Sequence, residues 1–418
     1  MKDKVRIGYI GLGRRGFHML KHTFSNMDDV EIVAVCDVRD DMLERAKNEL
    51  VSKGRPEPRL TKDYKDIIND PDIDAVAVMT GWGGRPAIAA ESARAGKYTA
   101  LEVGCSETLE ECYDLVRAYE ESGTPIMMLE NCCYGRREMM ALRMVREGLL
   151  GEIVHCTGSY RHYLNNVELF TGVKGDEDVE HYRLKYYIER NRENYPTHEF
   201  GPISKILNIN RGNRIVSLSS FASKSRGIKE FAKHRYGENS RYASIDYKQG
   251  DIVNTILTME NGETVMLTLD TTVPSGFYSR NFSVRGTLGL TDEDTQTVYL
   301  WEDGEHHVEI KGNEEEMYKK YDHPLHANYV VDESKAEGHG GMDWLVVRAF
   351  VESVKEGTNT PIDVYDSACW LAIGALSERS IEMGGAPVEF PDFTNGAYKT
   401  RTDIHTGKYS LDIVYSEQ

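Results

Sequence analysis

The chain lacks the usual covalent and membrane anchors. Its seven cysteines are scattered, only Cys132 and Cys133 are adjacent, and there is no Cys-x-x-Cys pair with metal-ligand spacing. They read as reduced thiols in a cytoplasmic protein. There is no long apolar run: the stretch Val5 to Leu12 is too short and too glycine-rich for a signal segment or a membrane span, so a soluble, unexported protein without a membrane partner is expected. An excess of basic residues is also missing. Acidic residues outnumber basic ones 68 to 50, for a net charge of -18, which argues against a nucleic-acid partner. No His-x-His, His-Glu-x-x-His or clustered carboxylate motif suggests a metal, and no internal repeat or low-complexity tract is present. At 418 residues the chain can bury an ordinary core in two domains without staples.

The stretch "VRIGYIGLGRRGFHML" joins a short β-rich run to Gly11, Gly13 and Gly16, and then to an apolar-periodic segment. This is the strand, tight turn and helix that a G-x-G-x-x-G dinucleotide loop requires. Glycines let the backbone approach a pyrophosphate, and the helix N-terminus turns free N–H groups and a positive dipole toward the anion. Arg14 and Arg15 lie within the loop and are counted with the cofactor-binding residues. The next strand, "VEIVAVCDV", carries Asp37 about 20 residues beyond the last glycine, where a carboxylate accepts from a ribose 2′-OH and repels a 2′-phosphate. NAD is therefore favoured over NADP, although Arg39 nearby pulls the other way. Alternating strands and helices continue through "DAVAVMT", a helix from about Pro86 to Ala95, "YTALEV", a helix through Thr108 to Glu121, and "PIMMLE". An α/β Rossmann domain with a doubly wound parallel sheet is predicted for residues 1–130.

Residues 131–418 read differently. A helix from about Arg136 to Glu147 precedes longer strands, "GEIVHCTGSYRH", "RIVSLSSFAS", "DIVNTILTME" and "TVMLTLDTTV", the last two joined through Asn261-Gly262. Asn-Gly between alternating apolar runs signals a hairpin. "NFSVRGTLG" and a pair turning at Asp303-Gly304 add further antiparallel candidates, and two glycine-terminated helices close the chain. The expectation is an α+β domain with an open, mostly antiparallel sheet. A polar insertion from Asn165 to Asn194 is either an active-site flap or a surface excursion.

In "ENYPTHEFGPISKILNINRG", Tyr195 and His198 stand three positions apart at a helix start, where both can project toward one site. They are either an acid/base pair or an aromatic anchor beside a cap residue. The combination of domains resembles the Gfo/Idh/MocA oxidoreductases. "ENCCYGRREMMALRMVREGLLGEIVHC", "NYPTHEFGPISKILNINRGNR", "GHGGMDW" and "APVEFPDFTNG" more specifically resemble the NAD-dependent glycosidases of glycoside hydrolase family 109, whose known activity is α-N-acetylgalactosaminidase. The usual Glu-Lys-Pro of the superfamily dehydrogenases reads Glu102-Val103-Gly104 here, and Asn194 stands where they carry an Asp. Family 109 tends to show Trp-Glu-Trp-His where this chain has Trp82-Gly83-Gly84-Arg85, and a Pro in place of Gly104.

The resemblance implies a redox-assisted elimination on a small carbohydrate. Hydride leaves C3 for NAD+, the C2 proton is removed, the C1 substituent departs, water adds, and the same NADH restores C3. It further implies that His198, Tyr195, Tyr278 and Glu130 serve catalysis, and that Trp82, Glu102 and Asn131 join the cofactor site. Each has a plainer alternative: a satisfied polar residue for His198, a strand-end carboxylate for Glu130, sheet packing for Tyr278. His339 and Asp343 are either substrate contacts or helix caps. A homo-oligomer is expected on resemblance. A sugar or cyclitol dehydrogenase and a non-catalytic NAD- or sugar-sensing protein are the competing classes.

Overall fold

The computed structural model describes residues 3–170, 180–301, 310–327, 339–401 and 407–412. The chain forms two compact units, one of residues 1–139, 322–369 and 402–418, the other of residues 140–321 and 370–401.

The sheet of the first unit contains β1 (Val5–Ile10), β2 (Val30–Cys36), β3 (Arg59–Thr61), β4 (Ala75–Val78), β5 (Tyr98–Leu101) and β6 (Ile126–Met128). Every pairing is parallel, and the order is β3-β2-β1-β4-β5-β6. β4 and β6 are buried along their whole length, as their unbroken apolar runs require in a sheet covered on both faces. The strand order reverses between β1 and β4, and a ligand crevice opens at such a point beyond the strands' carboxyl ends. Between β5 and β6, the helix Leu109–Ser122 starts on a capping box, Thr108 with Glu111, and stops at Gly123 in the left-handed region (φ 67).

A division at residue 130 follows the chain, whereas the compact units do not. The helix Met342–Glu356 belongs to the first unit and packs on β1 and on the turn Asn131–Tyr134. Its Leu345, Val346, Ala349 and Phe350 are fully buried, and Gly357 (φ 70) ends it. An apolar face on a late helix shows that it is buried, not which sheet buries it.

The second unit's sheet consists of β7 (Ile153–Arg161), β8 (Ile215–Ala222), β9 (Ile252–Met259), β10 (Thr264–Asp270), β11 (Ser283–Gly286), β12 (Gly289–Asp292), β13 (Thr297–Leu300) and β14 (Val388–Glu389). The order is β13-β12-β11-β7-β10-β9-β8-β14; β7 and β10 run parallel and the other described pairs antiparallel. β9 and β10 form the hairpin expected at Asn261-Gly262, with Gly262 at φ 100. On β9, Val253, Thr255, Leu257 and Met259 face the core, while Asn254, Ile256 and Thr258 face outward. The turn expected at Asp303-Gly304 lies outside the described residues.

The helix Pro196–Ile206 crosses β7 at Gly158, where a Cβ would sit 2.4 Å from the carbonyl oxygen of Glu199. Only glycine permits that approach. The insertion supplies a short π-helical turn, Asn165–Leu169, and the helix Tyr182–Glu189.

Candidate active site

In the first unit the glycine loop is built as its spacing predicts. Gly11 has φ 96, and a Cβ there would lie 2.7 Å from the backbone nitrogen of Thr80 at the end of β4. A Cβ on Gly16 would lie 2.2 Å from the carbonyl oxygen of Gly11, so this residue lets the helix Arg14–His22 pack against the loop. Gly13 differs from both: nothing lies within 4 Å of its would-be Cβ, so its hydrogen keeps space open rather than relieving a contact within the protein. The helix beginning there has no side-chain cap and no acidic residue in its first turn. Open space, uncapped N–H groups and the helix dipole together fit a pyrophosphate.

Asp37 faces this loop, its Oδ2 accepting from the Leu12 N–H at 2.7 Å and its Oδ1 from the Arg39 N–H at 3.0 Å. The Arg39 guanidinium forks onto Asp41, with bonds of 3.0 and 2.6 Å. Its charge is thus answered locally, and the side chain that pointed toward NADP is engaged elsewhere.

Arg14 is exposed on the first helical turn. Arg15 instead forks onto Asp343 with two bonds of 2.8 Å, and its Nε lies 3.5 Å from Glu102. Asn131 donates to Asp343 at 2.7 Å, and the His339 Nδ1 meets the same carboxylate at 3.0 Å. Burial opposes the charge on Asp343, but Arg15 and His339 outweigh it and hold the acid far below the usual carboxylate range. Asp343 is thus a buried hub joining the glycine loop to the end of β6. Its role was not visible in "GHGGMDW", because beyond His339 its partners come from residues 15 and 131.

Trp82 and Gly104 form a matched pair. A Cβ on Gly104, at φ 146, would fall 2.2 Å from the Trp82 indole nitrogen. Arg85 is buried and binds the carbonyls of Thr80, Glu102 and Val103, tying the end of β4 to that of β5. The departures at 82–85 and 104 therefore occur in one packed corner. Glu130 is wholly buried, not an exposed strand-end carboxylate, and its side chain caps the turn Asn131–Tyr134 by accepting from the Cys132 N–H at 2.9 Å.

In the second unit the structure brings Tyr195, His198 and Tyr278 into one ring cluster. The Tyr195 ring stacks on Tyr160, with centroids 4.3 Å apart, and the His198 ring stands edge-on to it at 4.8 Å. Tyr278 is half-exposed and meets His162 edge-on at 5.3 Å, so it is not sheet packing. The His162 Nδ1 and the Tyr160 hydroxyl are 3.1 Å apart. From the insertion, the Arg183 guanidinium lies 4.6 Å from the centroid of the Tyr195 ring and pairs with Glu168 at 2.6 Å. Tyr160, His162 and Arg183 are cluster members that sequence reasoning missed; β7 and the insertion deliver them. Asn194 is buried away from such work, donating to Gln249 at 2.6 Å and accepting from Arg192 at 3.1 Å.

Comparison with known proteins gives the family and the fold. Residues 5–129 match the oxidoreductase family with an NAD-binding Rossmann fold, and residues 134–400 match the glycosyl hydrolase 109 C-terminal domain. A glycosyl hydrolase family 109 protein of Stenotrophomonas maltophilia is 39% identical, covering 97% of this chain and 93% of its own. The alpha-N-acetylgalactosaminidase of Tannerella forsythia is 37% identical, covering 94% of this chain and 87% of its own. Among solved structures, a levoglucosan dehydrogenase in complex with NADH and L-sorbose superposes with a TM-score of 0.69 at 18% identity, covering 94% of this chain and 100% of its own, and shares the fold. The chain is an NAD-binding enzyme of the Gfo/Idh/MocA fold, and it belongs to glycosyl hydrolase family 109.

Proposed function

We propose that the protein is an NAD-dependent glycosidase that cleaves a small α-linked glycoside, an N-acetylgalactosaminide or a close relative, without net consumption of cofactor. The observation that carries this reading is the ring cluster of Tyr195, His198, Tyr160 and Tyr278, an array of proton-handling groups in a chain that also holds a dinucleotide loop. Bound NAD supplies the hydride acceptor and donor for reversible oxidation at C3 of the sugar. The chain's own residues must then move protons on neighbouring ring atoms.

His198, partly exposed beside Tyr195, takes the C3 hydroxyl proton and returns it. Tyr195 removes the C2 proton and delivers it again after water has added. Arg183 sets a positive charge against the face of the Tyr195 ring, where it stabilises the phenolate form that must accept the C2 proton and that is restored when the proton is delivered back. Tyr278 and His162 reach the sugar from the half-exposed side. A homo-oligomer working in the cytoplasm remains part of this reading.

The test is hydrolysis of p-nitrophenyl α-N-acetylgalactosaminide and related glycosides with catalytic NAD+. Release of p-nitrophenol without accumulating NADH supports the glycosidase. No release from any glycoside, with net NADH formed from free sugars, would make the protein a sugar or cyclitol dehydrogenase.

A further inference from the structure

Two acids next to the ring cluster have no part in the chemistry above. Glu193 and Glu199 are 0% and 1% exposed. They flank the turn that carries Tyr195 and His198, and Glu199 directly follows His198 on the helix Pro196–Ile206. That helix has no side-chain cap at Tyr195. Instead, Glu193 Oε1 accepts from the Tyr195 N–H at 3.0 Å, while the Glu193 N–H donates to Ser377 at 2.6 Å. The two carboxyl groups lie within hydrogen-bonding reach of each other. Among the described residues no side-chain donor is bonded to Glu193 Oε2 or to either side-chain oxygen of Glu199, and the backbone N–H groups of Thr268 and Tyr160 lower Glu199 by less than burial raises it. Two ionised carboxylates buried against each other are strongly disfavoured, and one proton held between them removes the repulsion.

We propose that Glu193 and Glu199 are a positioning pair that shares a single proton and clasps the turn carrying Tyr195 and His198. The Glu193 carboxylate supplies the cap that the helix lacks, with its charge at the favourable end of the dipole. The protonated Glu199 donates to the second oxygen of Glu193. Burial pushes both acids up, and the Glu193 charge pushes Glu199 higher still.

The surrounding charges are committed elsewhere. Arg192 is engaged by Asn194 and the Tyr186 ring, Arg183 by Glu168 and the Tyr195 ring, Arg190 by Glu378, and Asp270 by Arg161. The Tyr160 hydroxyl on β7 pairs with His162, while the Tyr160 backbone N–H faces Glu199 as a neutral donor; Lys205 lies further along the same helix. For acids raised on folding, the stabilising contribution is complete below the ordinary carboxyl range. It fades as pH rises through the raised value, so the clasp opens on the alkaline side.

The inference rests on the reading of Tyr195 and His198 as the working pair, but the clasp can be observed without turnover. Wild-type protein and the variants Glu199→Gln and Glu199→Ala would be compared by infrared spectroscopy, by melting temperature against pH, and by the pH profile of glycoside hydrolysis. The expected wild-type spectrum at neutral pH contains a protonated, buried carboxylic acid that is missing in Glu199→Gln. That variant keeps a neutral donor to Glu193, so it should retain kcat within about threefold and lose the alkaline decline in both melting temperature and rate. Glu199→Ala should lower kcat by about tenfold or more with KM little changed.

No protonated-acid band in the wild type, a band that persists in Glu199→Gln, or melting curves of equal pH slope would overturn the proposal. If Glu199→Ala does not fold, the wild type and Glu199→Gln still decide. If no form hydrolyses any glycoside, the functional reading fails, while the spectrum and the melting curves judge the clasp.

Discussion

Asp343→Asn is the most informative single change in the first unit. Each Asp343 oxygen takes two partners: Oδ1 accepts from Arg15 and Asn131, and Oδ2 meets Arg15 and His339. An amide keeps one oxygen and replaces the other with an N–H2 group, so whichever way it turns, an Arg15 N–H faces another donor. Breaking a buried ion pair by removing one partner costs about 3–5 kcal/mol. Arg15 is 31% exposed and water recovers part of its charge, so a loss of about 3 kcal/mol is expected. For a unit of this size that corresponds to roughly 6–12 °C in melting temperature.

The sign with pH is equally definite. Asp343 is depressed on folding, so its contribution would fade only as pH fell through a value below the usual carboxylate range. The deficit of the variant should therefore be flat from neutral pH down to about pH 5. Calorimetry of both proteins across that interval, with titration of NAD+ at neutral pH, measures it. NAD+ affinity should fall as well, because Arg15 and Asn131 lose their common anchor. An unchanged melting temperature with undiminished NAD+ affinity would refute the hub.

Other changes separate the roles of the glycines and charges. Gly13→Ala meets nothing inside the protein, so melting should stay near wild type while NAD+ affinity measured by calorimetry collapses; undiminished affinity would show that no phosphate approaches there. Gly16→Ala forces a Cβ onto the Gly11 carbonyl and should lower both stability and affinity. Gly104→Ala places a methyl group in the Trp82 indole at a strained backbone position and should cost about 1–3 kcal/mol, read as a lower melting temperature. Asp37→Ser together with Asp41→Ala removes the carboxylate facing the loop and frees Arg39, so the ratio of NADP+ to NAD+ affinity should rise; an unaltered ratio would place selectivity elsewhere.

Much of the first unit was legible because its signals are local. Parallel strands buried on both faces are continuous apolar runs, and the glycine loop depends on spacing within a single turn. Asp37 was placed at the loop by its distance along the chain, and the structure puts its carboxylate on the Leu12 N–H. Tyr195 and His198 could be paired because three residues on a helix start bring two side chains to one side. Long-range partners were not legible. No period announces that Arg15 meets Asp343, that Tyr160 from β7 stacks on Tyr195, or that β7 runs parallel to β10. Glu193 and Glu199 appeared in the sequence as ordinary charges beside a helix start, and only the fold reveals that both are buried and face each other.

The most direct test of the central claim is the fate of the hydrogen at C2. Purified protein with catalytic NAD+ would hydrolyse an aryl α-N-acetylgalactosaminide in D2O, with the product sugar followed by NMR. Elimination from the C3 ketone requires the C2 proton to leave, and the addition of water requires one to return, so deuterium should appear at C2 of the released sugar. Tyr195→Phe and His198→Ala should each slow release by about a hundredfold or more. Release of sugar that retains its original C2 hydrogen, at a rate insensitive to NAD+, would contradict the account.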